Sequence, residues 1–112
     1  SNENESLGNK IKDTIDDAGT AIKNTVKDVK TGAENSSRTA DNEANKAAND
    51  VKGESGNIFD KVGAKIKNAV GDAKTSSENA ANSAKNETEK AGNSLNNEAK
   101  KAERDERDRN EI

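Results

Sequence analysis

The chain contains no cysteine, histidine, proline, methionine, tryptophan or tyrosine, and Phe59 is its single aromatic residue. The missing Cys and His remove thiol and imidazole catalysis, disulfides and the usual zinc and haem ligands. One aromatic ring leaves no platform for stacking bases. Leu, Ile, Val and Phe number 14 of 112 residues, below the roughly one-fifth at which a packed interior becomes doubtful. Such a chain is expected to be largely disordered as a dilute monomer and to fold against a partner surface. No run of about 20 apolar residues exists, which excludes a membrane-spanning helix. The formal charge is −3, with 19 basic and 22 acidic residues. They are mixed along the chain, giving neither an acidic tail nor a nucleic-acid footprint. Carboxylate neighbours such as Asp16-Asp17 and Glu87 with Glu89 lack the alternating oxygen ligands of a calcium loop or the shaped pocket of a glycosidase, and read as solvated surface. No catalytic, cofactor-binding or metal-binding residue is assigned, and the chain reads as non-enzymatic.

What the sequence does contain is a repeat. Residues 15–52 resemble residues 59–96 at an offset of 44, with 17 of 38 aligned pairs identical. Ile22-Lys23-Asn24-Thr25-Val26 matches Ile66-Lys67-Asn68-Ala69-Val70. The offset is four times 11, and an 11-residue period runs through the chain. Steps of eleven from Leu7 give Leu7, Ala18, Val29, Ala40, Val51, Val62, Ala73, Ala84 and Leu95, all apolar. Three further series, beginning at Ile11, Thr14 and Ile15, complete a stripe about 100° wide on a helix of 11 residues per three turns. At about 3.67 residues per turn such a stripe runs straight or drifts right-handed.

The fold class predicted is all-α: a long amphipathic helix with an 11-residue (hendecad) repeat, arranged as a two-helix hairpin or a right-handed coiled coil. The absence of Pro forces no break. Gly53-Glu54-Ser55-Gly56-Asn57 is the place for an interruption, with Asn57 as a candidate N-cap, while the 11-residue phase running unbroken across it leaves one continuous helix as the alternative. The organisation expected is a flexible N-terminus at 1–6, a first amphipathic repeat segment at 7–52 and a hinge at 53–57. A second segment follows at 58–102, with a charged tail at 103–112 that lies past the end of the apolar seam and frays. Leu7, Ile11, Ile15, Ile22, Val26, Val29, Val51, Phe59, Val62, Ile66, Val70 and Leu95 form the candidate apolar contact face. Lys30, Lys52, Lys74 and Lys85 fall one position after the leading series, where lysine stems can cover apolar surface and reach lipid phosphates. Gly8, Gly19 and Gly63 share that border.

Units such as Ala21-Ile22-Lys23-Asn24-Thr25-Val26-Lys27-Asp28 and Lys65-Ile66-Lys67-Asn68-Ala69-Val70-Gly71-Asp72 resemble late-embryogenesis-abundant proteins of the 11-mer repeat class and bacterial stress proteins of similar design. The resemblance covers about residues 7–102 and rests on period and composition. The same 11-residue logic resembles that of synucleins and exchangeable apolipoproteins. High Asn content and irregular Lys/Glu placement depart from the plant pattern. The resemblance implies a chain that becomes helical on drying or at membranes and protects membranes and proteins under desiccation, osmotic or cold stress. The partners expected are an anionic lipid surface or client proteins, with no nucleic acid. The second expectation is a self-assembling helical protein, a homo-oligomer or filament joined through the same seam.

Overall fold

The computed structural model describes residues 6–111. It contains two helices, α1 at Leu7–Glu54 and α2 at Ile58–Glu111. Ser6 caps α1, its Oγ accepting from the backbone N–H of Asn9 at 3.1 Å, which satisfies one of the free donors of the first turn. The last turn of α1 tightens, with Gly56 N–H donating to the carbonyl of Gly53 at 3.3 Å. Asn57 then caps α2: its Oδ1 accepts from the N–H groups of Phe59 and Asp60 at 2.9 and 3.1 Å. Asp60 returns the contact, its Oδ2 accepting from Asn57 N–H at 3.0 Å. This reciprocal box lets one short turn end a helix of 48 residues and start one of 54.

The helix ends differ from the expected ones. α1 continues two residues past 52, and α2 runs through the tail to Glu111. In the tail, Arg104 and Asp108 are among the most buried of the described residues. Residues 1–5 of the expected flexible N-terminus, and Ile112, lie outside the described residues.

Two compact units are present, Ser1–Val29 with Asn86–Ile112, and Lys30–Lys85. The second is a helical hairpin closed by the turn at 55–57. The first is an antiparallel pair, made by the beginning of α1 and the end of α2. These units cut across the two repeat segments, because each repeat lies mostly within one helix while each unit takes part of both.

In both units the helices meet through a polar stripe. On α1 the residues that lose solvent exposure are spaced 4, 3, 4 from Asn9 onward: Asn9, Asp13, Asp16, Thr20, Asn24, Lys27 and so on to Gly53. Glu34 is the one α1 residue outside this spacing to lose exposure. On α2 the same spacing starts at Ala64 and runs through Asn68, Gly71, Thr75 and Asn79 to Asp108. The stripe is therefore hendecad in phase, as the apolar series are, but its residues are Asn, Asp, Thr, Lys, Arg and small residues. This corrects the expectation that the apolar seam joins the helices in a hairpin or coiled coil.

Candidate functional site, an apolar face opposite a polar seam

Within the Lys30–Lys85 unit the seam begins where small residues bring the backbones together. A Cβ at Gly53 would stand 3.0 Å from the Ala64 Cβ. Further from the turn, amides take over. Asn49 donates to Asn68 Oδ1 at 3.0 Å, and Asn68 donates to Asp50 at 2.8 Å. Asp72 accepts from Asn42 at 2.8 Å and pairs with Lys46 at 3.1 Å. Asn79 Oδ1 accepts from Arg38 Nε at 3.2 Å while its Nδ2 reaches Thr39 Oγ1 at 3.2 Å. Asn is suited to this place because one side chain donates and accepts, so Asn can meet Asn, Asp or a backbone carbonyl.

The other unit continues the chemistry with more charge. Asp28 accepts from Asn86 at 2.8 Å and pairs with Lys90 at 2.9 Å. Asp17 holds Asn97 at 2.8 Å and Lys101 at 3.0 Å. Arg104, 6 % exposed, spans Asp13 at 2.9 Å and also bonds Asp16. Asp108 accepts from Asn9 Nδ2 at 2.7 Å and from the Ser6 N–H at 2.8 Å, which ties the start of α1 to the end of α2. Asn97 Oδ1 is buried and has no hydrogen-bond partner, so the seam is least satisfied there.

These contacts set the protonation of the seam. Hydrogen bonds from Asn97 and Lys101 hold the Asp17 carboxyl below the ordinary aspartate value, and Lys90 and Asn86 do the same for Asp28. Asn42 and Lys46 lower Asp72, and Asn9 with the Ser6 backbone lowers Asp108. Reciprocally, Asp72 and Glu43 raise Lys46, Asp28 and Glu87 raise Lys90, and Asp17 and Glu98 raise Lys101. Each charged form is favoured by a partner across the seam or one helical turn away.

Seen along either helix, the candidate apolar face lies on the side away from the seam. A residue advances about 98° on a helix of 11 residues per three turns. The Leu7 and Ile11 series therefore stand about 164° to either side of the Asn9 series, and the Thr14 and Ile15 series about 131°. All twelve candidate residues, and Ile58 with them, are exposed, from 50 % at Val62 to 81 % at Phe59. The structure brings none of them into the helix–helix seam. In each unit the faces of the two helices point outward, away from each other. No described helix is long and apolar enough to cross a membrane.

The polar stripe was missed by a reading that followed hydrophobicity alone. Its signal was present: Thr75, Asn86, Asn97 and Asp108 are spaced by eleven, as are Asn68, Asn79, Lys90 and Lys101. No family model, no curated protein and no solved structure matches this chain.

Proposed function

We propose that this chain is a non-enzymatic stress protectant that lays amphipathic helix on membrane or protein surfaces. One observation carries the reading: thirteen large apolar side chains are exposed on helices already paired through their other side. Hydrophobic burial is worth about 25 cal/mol per Å², and here that driving force is unspent by the fold. A lipid boundary takes up such a stripe without competing for the polar seam. The test dries and rehydrates anionic vesicles holding an entrapped dye. The chain is expected to retain the dye, and the triple variant I15S/I22S/V26S is expected to lose both retention and vesicle binding while keeping its helicity. Equal retention by the variant would end this reading.

The second reading, a self-assembling helical protein, is favoured by the outward direction of both apolar faces in each unit, which leaves room for a further copy on either side. It requires association that grows with concentration and disappears in the same triple variant. Sedimentation as monomer at high concentration would remove it.

A further inference from the structure

The seam has two unlike flanks. Residues three before, one after and four after the stripe centre (the Asn9 and Ala64 series) lean to one side; those three after, one before and four before lean to the other. Cross-helix contacts show that like flanks of α1 and α2 lie on the same side of each pair. Asp17, three before Thr20, meets Lys101, four after Asn97, at 3.0 Å. Glu89, three after Asn86, meets Lys27, four before Thr31, at 3.2 Å.

Outside the stripe itself, at the positions three and one away from its centre, the charges are sorted between these flanks. In the Ser1–Val29 and Asn86–Ile112 unit, the second flank carries Lys12, Lys23, Lys100 and Arg107 against Glu89 among residues 6–110. The first flank carries Asp17, Asp28, Glu87, Glu98 and Asp105 against two cations. In the Lys30–Lys85 unit the second flank carries Lys30, Lys52, Lys67, Lys74 and Lys85 against three carboxylates. Its first flank carries four carboxylates against Lys61 and Lys65. Seam contacts sharpen the difference. On the lysine flank two of the four carboxylates are tied down, Glu89 by Lys27 and Glu34 by Asn82 at 3.1 Å. Among the described residues no ion pair engages Lys12, Lys23, Lys67 or Lys74. Beyond the lysine flank the next series holds four large apolar residues, Ile15, Val26, Phe59 and Val70, whereas beyond the carboxylate flank it begins Thr14 and Thr25 and holds one, Ile58.

The geometry points to an oriented docking mode: in each unit the helices, still paired, lie on an anionic lipid surface by their lysine flank. Ile15, Val26, Phe59 and Val70 enter the acyl boundary, the lysine stems reach the phosphates, and the carboxylate flank faces water. This rests on the lipid reading above and adds to it the face used and the survival of the polar seam.

The test uses the full chain and vesicles of phosphatidylglycerol or phosphatidylcholine. Two variants carry the same charge change, K12Q/K23Q/K67Q/K74Q on the lysine flank and K10Q/K61Q/K65Q/R109Q on the opposite one. The first is expected to lose up to about 1,000-fold in affinity for phosphatidylglycerol vesicles, and the second less than about three-fold. Because the chain has no tryptophan, T25W and V26W each report one environment, and V26W is expected to shift further to the blue on binding. Equal losses from the two charge sets, or equal shifts at 25 and 26, overturn the oriented mode while leaving lipid binding intact. Wild-type chain that ignores both vesicle types overturns the lipid reading itself. Loss of self-association instead of vesicle affinity in the lysine-flank variant makes a second copy the occupant, and overturns the proposal.

Discussion

Asn35 and Asn79 occupy the same place in the two copies of the 44-residue repeat, and each donates its side-chain amide to the other's backbone carbonyl, at 3.5 and 3.4 Å. Repeat-equivalent residues can meet at only one level of an antiparallel pair, since one chain ascends as the other descends. Here that level is marked by two copies of a residue able to bond its own kind. The contact therefore gives the Lys30–Lys85 unit a local two-fold character and fixes its register.

Removing this amide is expected to cost more than an exposed contact would. Asn79→Ala loses the bonds to Asn35 and Thr39 and leaves Arg38 Nε without its acceptor. The expected loss is about 1–3 kcal/mol, read as a lower urea midpoint of the helical signal. Asn35→Ala combined with Asn79→Ala should cost less than the sum of the singles.

Arg104 is expected to be the most sensitive charged position. Its guanidinium is held between Asp13 and Asp16 with an 8 % exposed side chain. Arg104→Met leaves two neighbouring carboxylates without a counter-charge, a loss of about 3 kcal/mol. Adding D13L and D16L to the same chain is expected to restore most of it. Hydrogen exchange of the amides at 9–20 would report the opening and its rescue.

The pH dependence follows from the seam. Asp17, Asp28, Asp72 and Asp108 are held below the ordinary value of 3.8, so their contribution is present above about pH 4 and is lost as pH falls through their lowered values. Lys46, Lys90 and Lys101 are raised above 10.5, so theirs is present below that value and is lost as pH rises through the raised ones. With no histidine in the chain, the urea midpoint is expected to be flat from about pH 5 to 9. D17N/D28N/D72N should weaken the acid-side fall, and a transition near pH 6.5 would contradict this account.

At the turn, two substitutions separate crowding from helix propensity. Gly53→Ala places a methyl 3.0 Å from the Ala64 Cβ, a contact offset by about 1 kcal/mol of helix propensity, so little net change is expected. Gly53→Val adds bulk with no further gain in propensity and is expected to cost about 1–3 kcal/mol. Asn57→Ala removes the cap on Phe59 and Asp60 for about 1 kcal/mol. Thermal melts of the three variants check the order.

The helices, the break between them and the Asn57 cap were legible because their causes are local: no Pro, an unbroken 11-residue period, and two Gly beside an Asn. The pairing face was not. Hydrophobic burial is the stronger term per residue, so the apolar stripe was read as the contact face, toward a lipid or client surface or, in the self-assembling alternative, between helices. Antiparallel pairing gives that stripe little to bury. The segment rich in large residues, Leu7 to Val29, runs beside the part of α2 where the apolar series offers Gly92, Leu95, Ala99 and Ala102. Ile58 to Val70 likewise meets Ala47, Ala48 and Val51. The Asn-rich stripe is even along both helices and makes cross-helix bonds from Asn9 with Asp108 to Asn49 with Asn68. The tail was bounded by the apolar series, which ends at Ala102, while the polar one goes on through Arg104 and Asp108.

A seam built from amides and ion pairs also changes how folding responds to temperature. Apolar surface exposed on unfolding raises the heat capacity, and polar surface lowers it. Here the large apolar side chains are already wet in the folded chain, while unfolding newly exposes amide and carboxylate. The heat-capacity increment is expected to fall well below the usual 12–15 cal/mol/K per residue, flattening the stability curve and moving cold denaturation far below the freezing point of water. The helix pair should then lose little stability on chilling, a condition in which proteins built around apolar cores lose part of their main driving force.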